Sequence, residues 1–125
     1  MVTFRSVEDI DAWKKARQLT DTVYRLTKSG PFSKDFALRD QVRRACISVM
    51  SNIAEGFERD GAGEFVQFLS IAKGSVGELR SQLYIALDQK YIDTSMFKDL
   101  MGLCIEISKM IRALMMYLRK SSIRG

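Results

Sequence analysis

Histidine is missing altogether from this 125-residue sequence, which removes the side chain most often used as a general base and as a metal ligand near neutral pH. A serine nucleophile would lack its usual base, and a cysteine nucleophile its usual partner. Only two cysteines occur, Cys46 and Cys104, each on an apolar helical stripe with no CxxC spacing, so they read as buried reduced thiols acting as small hydrophobes. Proline is nearly absent too, with Pro31 alone to interrupt a helix. No uncharged run approaches the roughly 20 residues that cross a bilayer, and the opening MVTFRSVEDIDAW has no basic stretch followed by an apolar core. These absences predict a cytoplasmic, non-enzymatic protein with no cofactor and no metal site.

What is present suits one packed domain spanning residues 1–125: 46% hydrophobic and 28% charged residues, with a net charge of +5. The positive excess is spread over the chain, with 11 basic and 9 acidic residues in the first 60 positions and 9 and 6 in the rest. The end is locally different. Lys109, Arg112, Arg119, Lys120 and Arg124 follow one another with no acid among them, a balance that suits an anionic partner.

Apolar spacing predicts four long helices, roughly 6–28, 34–57, 64–88 and 94–120. The first carries Ala12, Ala16, Leu19, Val23 and Leu26 at intervals of four and three, with Ser6 and Asp9 as a capping pair and Gly30-Pro31 as a stop. The second aligns Leu38, Val42, Ala45, Cys46, Val49, Ile53 and Phe57. The third turns Phe65, Phe68, Leu69, Ala72, Val76, Leu79, Leu83 and Ala86 inward, and its interior glycines Gly74 and Gly77 suggest close approach by another backbone, since each costs roughly 1 kcal/mol relative to alanine. Asp93 or Thr94 caps the fourth. Short links between four such helices give an all-α, antiparallel up-down-up-down four-helix bundle.

The fourth helix carries more oil than one bundle core hides. Phe97, Leu100, Cys104, Ile107, Ile111, Leu114 and Leu118 form one seam, and Met96, Leu103, Met110 and Tyr117 form a second beside it. Left bare, the second seam is a contiguous apolar patch on a monomer. Met96, Leu103, Met110 and Tyr117 are therefore the candidate oligomer interface.

Polar residues give two further groups. Gln41, Arg44, Ser48, Asn52, Glu55 and Arg59 share one narrow side of the second helix, away from its apolar face. Asn52, Glu55, Arg59, Ser75 and Glu78 read as a solvated face or, where subunits associate, as a hydrogen-bonded network across a helix–helix contact. The cations Lys14, Lys15, Arg17, Arg39, Arg43, Arg44, Arg59, Arg119 and Lys120 are candidate phosphate contacts, arginine offering a planar donor fork. Arg39 and Arg43 fall on a different side of their helix from Arg44 and Arg59, so they do not make one groove.

Together the stretches VEDIDAWKKARQLTDTVYRLT, ALRDQVRRACISVMSNIAEGFER, EFVQFLSIAKGSVGELRSQLYIAL and KYID resemble the four-helix-bundle proteins related to those encoded in intervening sequences of 23S ribosomal RNA genes. The most specific part is Gln41, Arg44, Ala45, Ser48, Ser51 to Gly56 and Arg59, followed by Phe68 to Ala72, Gly74, Ser75 and Glu78. The resemblance implies a four-helix bundle and a ring-shaped homo-oligomer, a pentamer. Its ribosomal association suggests binding of structured RNA or a nucleoprotein. A distant branch that assists reverse transcriptases suggests the alternative, an adaptor that binds another protein without touching nucleic acid.

Overall fold

The computed structural model describes residues 4–124, with side chains described through Lys120. Every regular element in that range is helical: a 3-10 turn at Val7–Asp9, then α1 (Asp11–Leu26), α2 (Gly30–Lys34), α3 (Phe36–Glu58), α4 (Ala62–Asp88) and α5 (Thr94–Arg124). The four long helices sit where the apolar spacing puts them. Two local expectations change. Ser6 and Asp9 cap the 3-10 turn rather than a long helix, with the Asp9 carboxylate accepting from the Arg5 and Ser6 amides at 2.8 and 3.4 Å. The chain then straightens at Ile10 before α1 begins. Gly30-Pro31 does not merely stop a helix; Pro31 lies in the first turn of α2, where its missing N–H costs nothing.

Capping side chains hold the links. Asp35 opens α3 by accepting from the Leu38 amide at 3.1 Å, and its other oxygen accepts from the Tyr91 hydroxyl at 2.9 Å. Tyr91 stacks on buried Phe32 at 5.1 Å between centroids, so α2 and the α4–α5 link close the same end of the molecule. Lys90 takes a left-handed conformation (φ 64°), and the Tyr91 and Lys90 amides donate back to the Ala86 and Leu87 carbonyls, both at 2.9 Å. That is a Schellman turn without its usual glycine. Asp93, rather than Thr94, caps α5, accepting from the Met96 amide at 2.7 Å.

Contacts join α1 to α3, α3 to α4, α4 to α5 and α5 back to α1. Side-chain pairs cross two of these contacts. Thr20 meets Met50 and Thr27 meets Arg43 between α1 and α3; Ser48 meets Ser75 between α3 and α4. One buried cluster takes Ala16, Leu19 and Val23 from α1, Val42, Val49 and Ile53 from α3, Leu69, Leu79 and Leu83 from α4, and Leu100, Ile107 and Ile111 from α5. A helix face of this width hides its stripe only against neighbours on both sides.

The glycine that permits close approach is Gly56, not Gly74 or Gly77. A Cβ at Gly56 would meet the Phe68 Cβ at 2.8 Å, Phe65 Cδ1 at 2.9 Å and the Phe65 carbonyl oxygen at 3.2 Å, whereas nothing lies within 4 Å of a Cβ at 74 or 77. The α3–α4 hairpin is tight at its turn because that one side chain is absent, and α3 runs on through Gly56 to Glu58.

Gly56→Ala is expected to destabilise the fold by about 1–3 kcal/mol, because overpacking outweighs the roughly 1 kcal/mol of helix propensity gained. Gly102→Ala, in open space on α5, is expected to stabilise by up to about 1 kcal/mol; urea denaturation of both variants checks the contrast. The two cysteines give a second test. Both are buried, and burial pushes each thiol up to about 12. A raised thiol pKa adds stability that is complete below the unfolded value near 9 and is lost as pH climbs from there towards about 12. Alkylating reagent at pH 8 is expected to leave both thiols unmodified in the native protein and to label both once urea unfolds it.

Candidate functional site

The polar side of α3 divides into two contacts instead of forming one network. At mid-helix the Ser48 and Ser75 hydroxyls lie 2.7 Å apart across the α3–α4 contact. Asn52 donates from Nδ2 to the Ser48 carbonyl at 2.8 Å and to Ser48 Oγ at 3.0 Å. Ser75 is buried and Asn52 half-buried. Small hydroxyl side chains let the two backbones come close while satisfying each other, as groups shielded from water must. One turn further on, Arg59 forms an ion pair with Glu55 at 2.8 Å, in the open, and its guanidinium lies over the Phe68 ring at 5.2 Å. Glu78 stands exposed and joins neither contact. Of the five residues expected as one network, the structure brings together Asn52 with Ser75 through Ser48, and Glu55 with Arg59. Among the described residues the two serines bond each other and Asn52, and the seam holds the helices together.

The candidate cations separate by what they touch. Arg43 donates from Nε to Thr27 Oγ1 at 2.8 Å and covers the Tyr24 ring at 4.5 Å, tying α3 to the end of α1. Buried Thr27 in turn donates to the Val23 carbonyl at 2.8 Å. Arg39 pairs with Asp40 at 3.0 Å, donates to the Ser33 carbonyl at 3.1 Å and lies over Phe36. Lys14 faces Asp11 at 3.7 Å, and Lys15 faces Glu106 of α5 at 3.6 Å. Arg17, Arg44, Arg119 and Lys120 are exposed and form no ion pair among the described residues. Trp13 packs half-buried against the core, beside a groove that it shares with Lys14 and Arg17 but also with Glu8 and Asp21. That groove is mixed in sign and is a weak place for a phosphate.

Two cations outside the candidate set fall into place once α5 is seen whole. At 100° per residue, Lys109, Arg112, Arg119 and Lys120 point to one outward side of the helix, and all four are exposed. From Ile107 to Lys120 there is no acidic residue. The helical spacing of that acid-free run is the signal that could have added Lys109 and Arg112. Among the described residues no cluster of carboxylates and thiols could hold a metal ion, and no helix is long and apolar enough to cross a membrane.

The expected bare flank of α5 is largely covered by the chain itself. Met96 and Leu103 line a groove with Thr22, Arg25 and Leu26 of α1. Met110 and Tyr117 line another with Phe4, Ile10 and Ala12. All four are half-buried, because α1 packs against α5 and shelters that side. Large apolar side chains that do stand in solvent are found elsewhere: Phe36 and Ile47 on α3, Ile71, Tyr84 and Ile85 on α4, and Ile105 and Met116 on α5.

Comparisons with known proteins agree with this geometry. A solved structure from Bacteroides thetaiotaomicron, described as a protein of unknown function from the S23 ribosomal protein family, superposes with a TM-score of 0.76 over 83% of this chain and 94% of its own, at 19% identity. At that identity the likeness speaks for the fold. No curated protein matches the sequence. The family profile for 23S rRNA-intervening sequence proteins matches residues 8–113, a span that takes in α1, α3, α4 and most of α5, and the chain belongs to that family.

Proposed function

We propose that this protein is a non-enzymatic, self-associating bundle that holds structured RNA by phosphate contacts along the outward side of α5. In this reading the four long helices run up, down, up and down, and copies close into a ring, a pentamer, as the family resemblance implies. The observation that carries the RNA contact is the basic stripe of Lys109, Arg112, Arg119 and Lys120, with no acid between Ile107 and Lys120. Interaction with the helix dipole offers a simpler reason for cations near a C-terminus, but it fades within the last turn. It does not reach Lys109 or Arg112, three or more turns before Arg124.

Arg39, Arg43 and Arg59 have no place in this contact, since aromatic rings and oxygen acceptors of the same chain already hold them. Lys14 and Arg17 add little to this contact, since Asp11 faces Lys14 and Glu8 and Asp21 share their groove. The same stripe also exposes Ile105 and Met116, and these apolar side chains favour a second reading, an adaptor whose α5 meets a protein helix.

Filter-binding titration with structured ribosomal RNA fragments is expected to show affinity falling steeply with salt. Replacing Lys109, Arg112, Arg119 and Lys120 together by glutamine is expected to flatten the log–log salt slope by about 3, from about 0.7–0.9 per phosphate. Binding indifferent to salt, or unchanged in the variant, removes the RNA reading. A protein captured on the wild type but not on an Ile105→Lys/Met116→Lys variant, after nuclease treatment, replaces it with the adaptor.

A further inference from the structure

One side of α4 carries cations and an aromatic ring that neither the core nor the proposed α5 contact uses. At 3.6 residues per turn, Lys73, Gly77, Arg80 and Tyr84 fall within an arc of about 60°, and all four are exposed. Tyr84 is 52% exposed and meets half-buried Phe97 of α5 in an edge-type contact, with centroids 4.9 Å apart and the rings at 63°. Arg80 leans towards α5 as well: burial pushes the Cys104 thiol up, and the Arg80 charge pulls against it. This side of α4 therefore runs along the seam with α5. Arg112 and Arg119 lie within about 60° of Phe97 around α5, so the basic stripe leans into the same seam.

Lys73, Arg80 and Arg112 form no ion pair among the described residues. The nearby acids face elsewhere. Glu78 lies about 130° round α4 from the middle of the row, Glu106 pairs with Lys15 of α1, and Asp99 lines the groove beside Thr22. Asp88, one turn beyond Tyr84, ends the acid-free stretch. Gly77 keeps the row low, since nothing lies within 4 Å of a Cβ placed there, and a ligand backbone can come close between Lys73 and Arg80.

Such cations suit a polyanion, and the ring says in what form. A single exposed aromatic is ordinary, but a ring set in a row of unpaired cations is how proteins hold single strands, stacking bases while the cations follow the backbone. Bases inside a duplex already stack on one another and offer a ring nothing; unpaired bases in loops and bulges do. A protein helix or a membrane surface would ask for a broader apolar face than one ring.

We propose that the α4–α5 seam takes an unpaired stretch of RNA, with a base stacked on Tyr84 and the backbone held by Lys73, Arg80 and Arg112. The inference rests on the RNA reading above and names the form of RNA that this part of the surface takes.

Titration of the full chain with a single-stranded RNA of about 12 nucleotides, and with a blunt duplex of the same length, tests it. The wild type is expected to bind the single strand. Tyr84→Ala is expected to weaken that binding about tenfold with salt slope and helicity unchanged, while Tyr84→Phe keeps wild-type affinity. Duplex binding is expected to respond to neither change. Lys73→Gln with Arg80→Gln is expected to flatten the single-strand salt slope by about 1.4, from about 0.7 per phosphate; an unchanged slope removes both from the contact. If Tyr84→Ala holds the single strand as the wild type does, or loses duplex binding equally, stacking on Tyr84 is overturned. If the wild type holds the duplex but not the single strand, the inference falls and the α5 reading stands. Retention of neither RNA sinks both, and a nuclease-resistant protein partner lost in Tyr84→Ala then replaces RNA at this seam.

Discussion

Close contact between α3 and α4 governs how the rest of the chain can be arranged. Gly56 brings α3 within touching distance of Phe65 and Phe68, and two turns earlier Ser48 and Ser75 meet hydroxyl to hydroxyl. A larger side chain at either place would push the helices apart and open the cluster that Val49, Ile53, Leu69 and Ala72 fill. Because the hairpin is tight, its own outer edge has room only for small or flexible groups, and long apolar side chains there must face out. Ile71 and Ile85 do so. The same constraint that makes a good core on one side of α4 thus creates the oily line on the other.

Arginine is used in two ways along α3. Towards α1, Arg43 lies over Tyr24 and donates to Thr27, and Arg39 is held by Asp40 and Ser33. These guanidinium groups act as braces, combining ring stacking with donors that orient a helix end. Towards α4, Arg44 is open. The distinction is one of neighbours, not of residue type. Counting cations therefore overstates the surface that a polyanion would meet, and the α5 stripe matters because its cations have no such braces among the described residues.

The sequence carried most of the fold in its apolar spacing. Intervals of three and four located α1, α3, α4 and α5 to within a few residues, because each long helix buries one continuous stripe and propensity and burial agree. Less was legible where contacts between distant residues decide. Nothing in the spacing separates Gly56 from Gly74, since which glycine meets a phenylalanine depends on how α3 and α4 are docked. The cover over Met96, Leu103, Met110 and Tyr117 was likewise invisible, because it depends on the crossing of α1 over α5 and on the turn at Ile10 that brings Phe4 down beside Tyr117. The residues Asn52 and Glu55 share one side of α3 in the helical spacing. The division of that side into an inward seam and an outward ion pair required the positions of α4 side chains.

Order around the bundle decides whether self-association and RNA contact can coexist. Contacts run α1 to α3, α3 to α4, α4 to α5 and back to α1, so α3 lies diagonally across from α5. A face shared by α3 and α4 points away from the side where α1 and α5 meet. The basic stripe, on the outward side of α5, would stay open in an assembly built through α3 or α4. A single bundle offers four of these cations. An assembly would offer several sets, and linked weak sites gain affinity from effective concentration without any new contact. Assembly through α5 itself would do the opposite, covering the cations with each copy added.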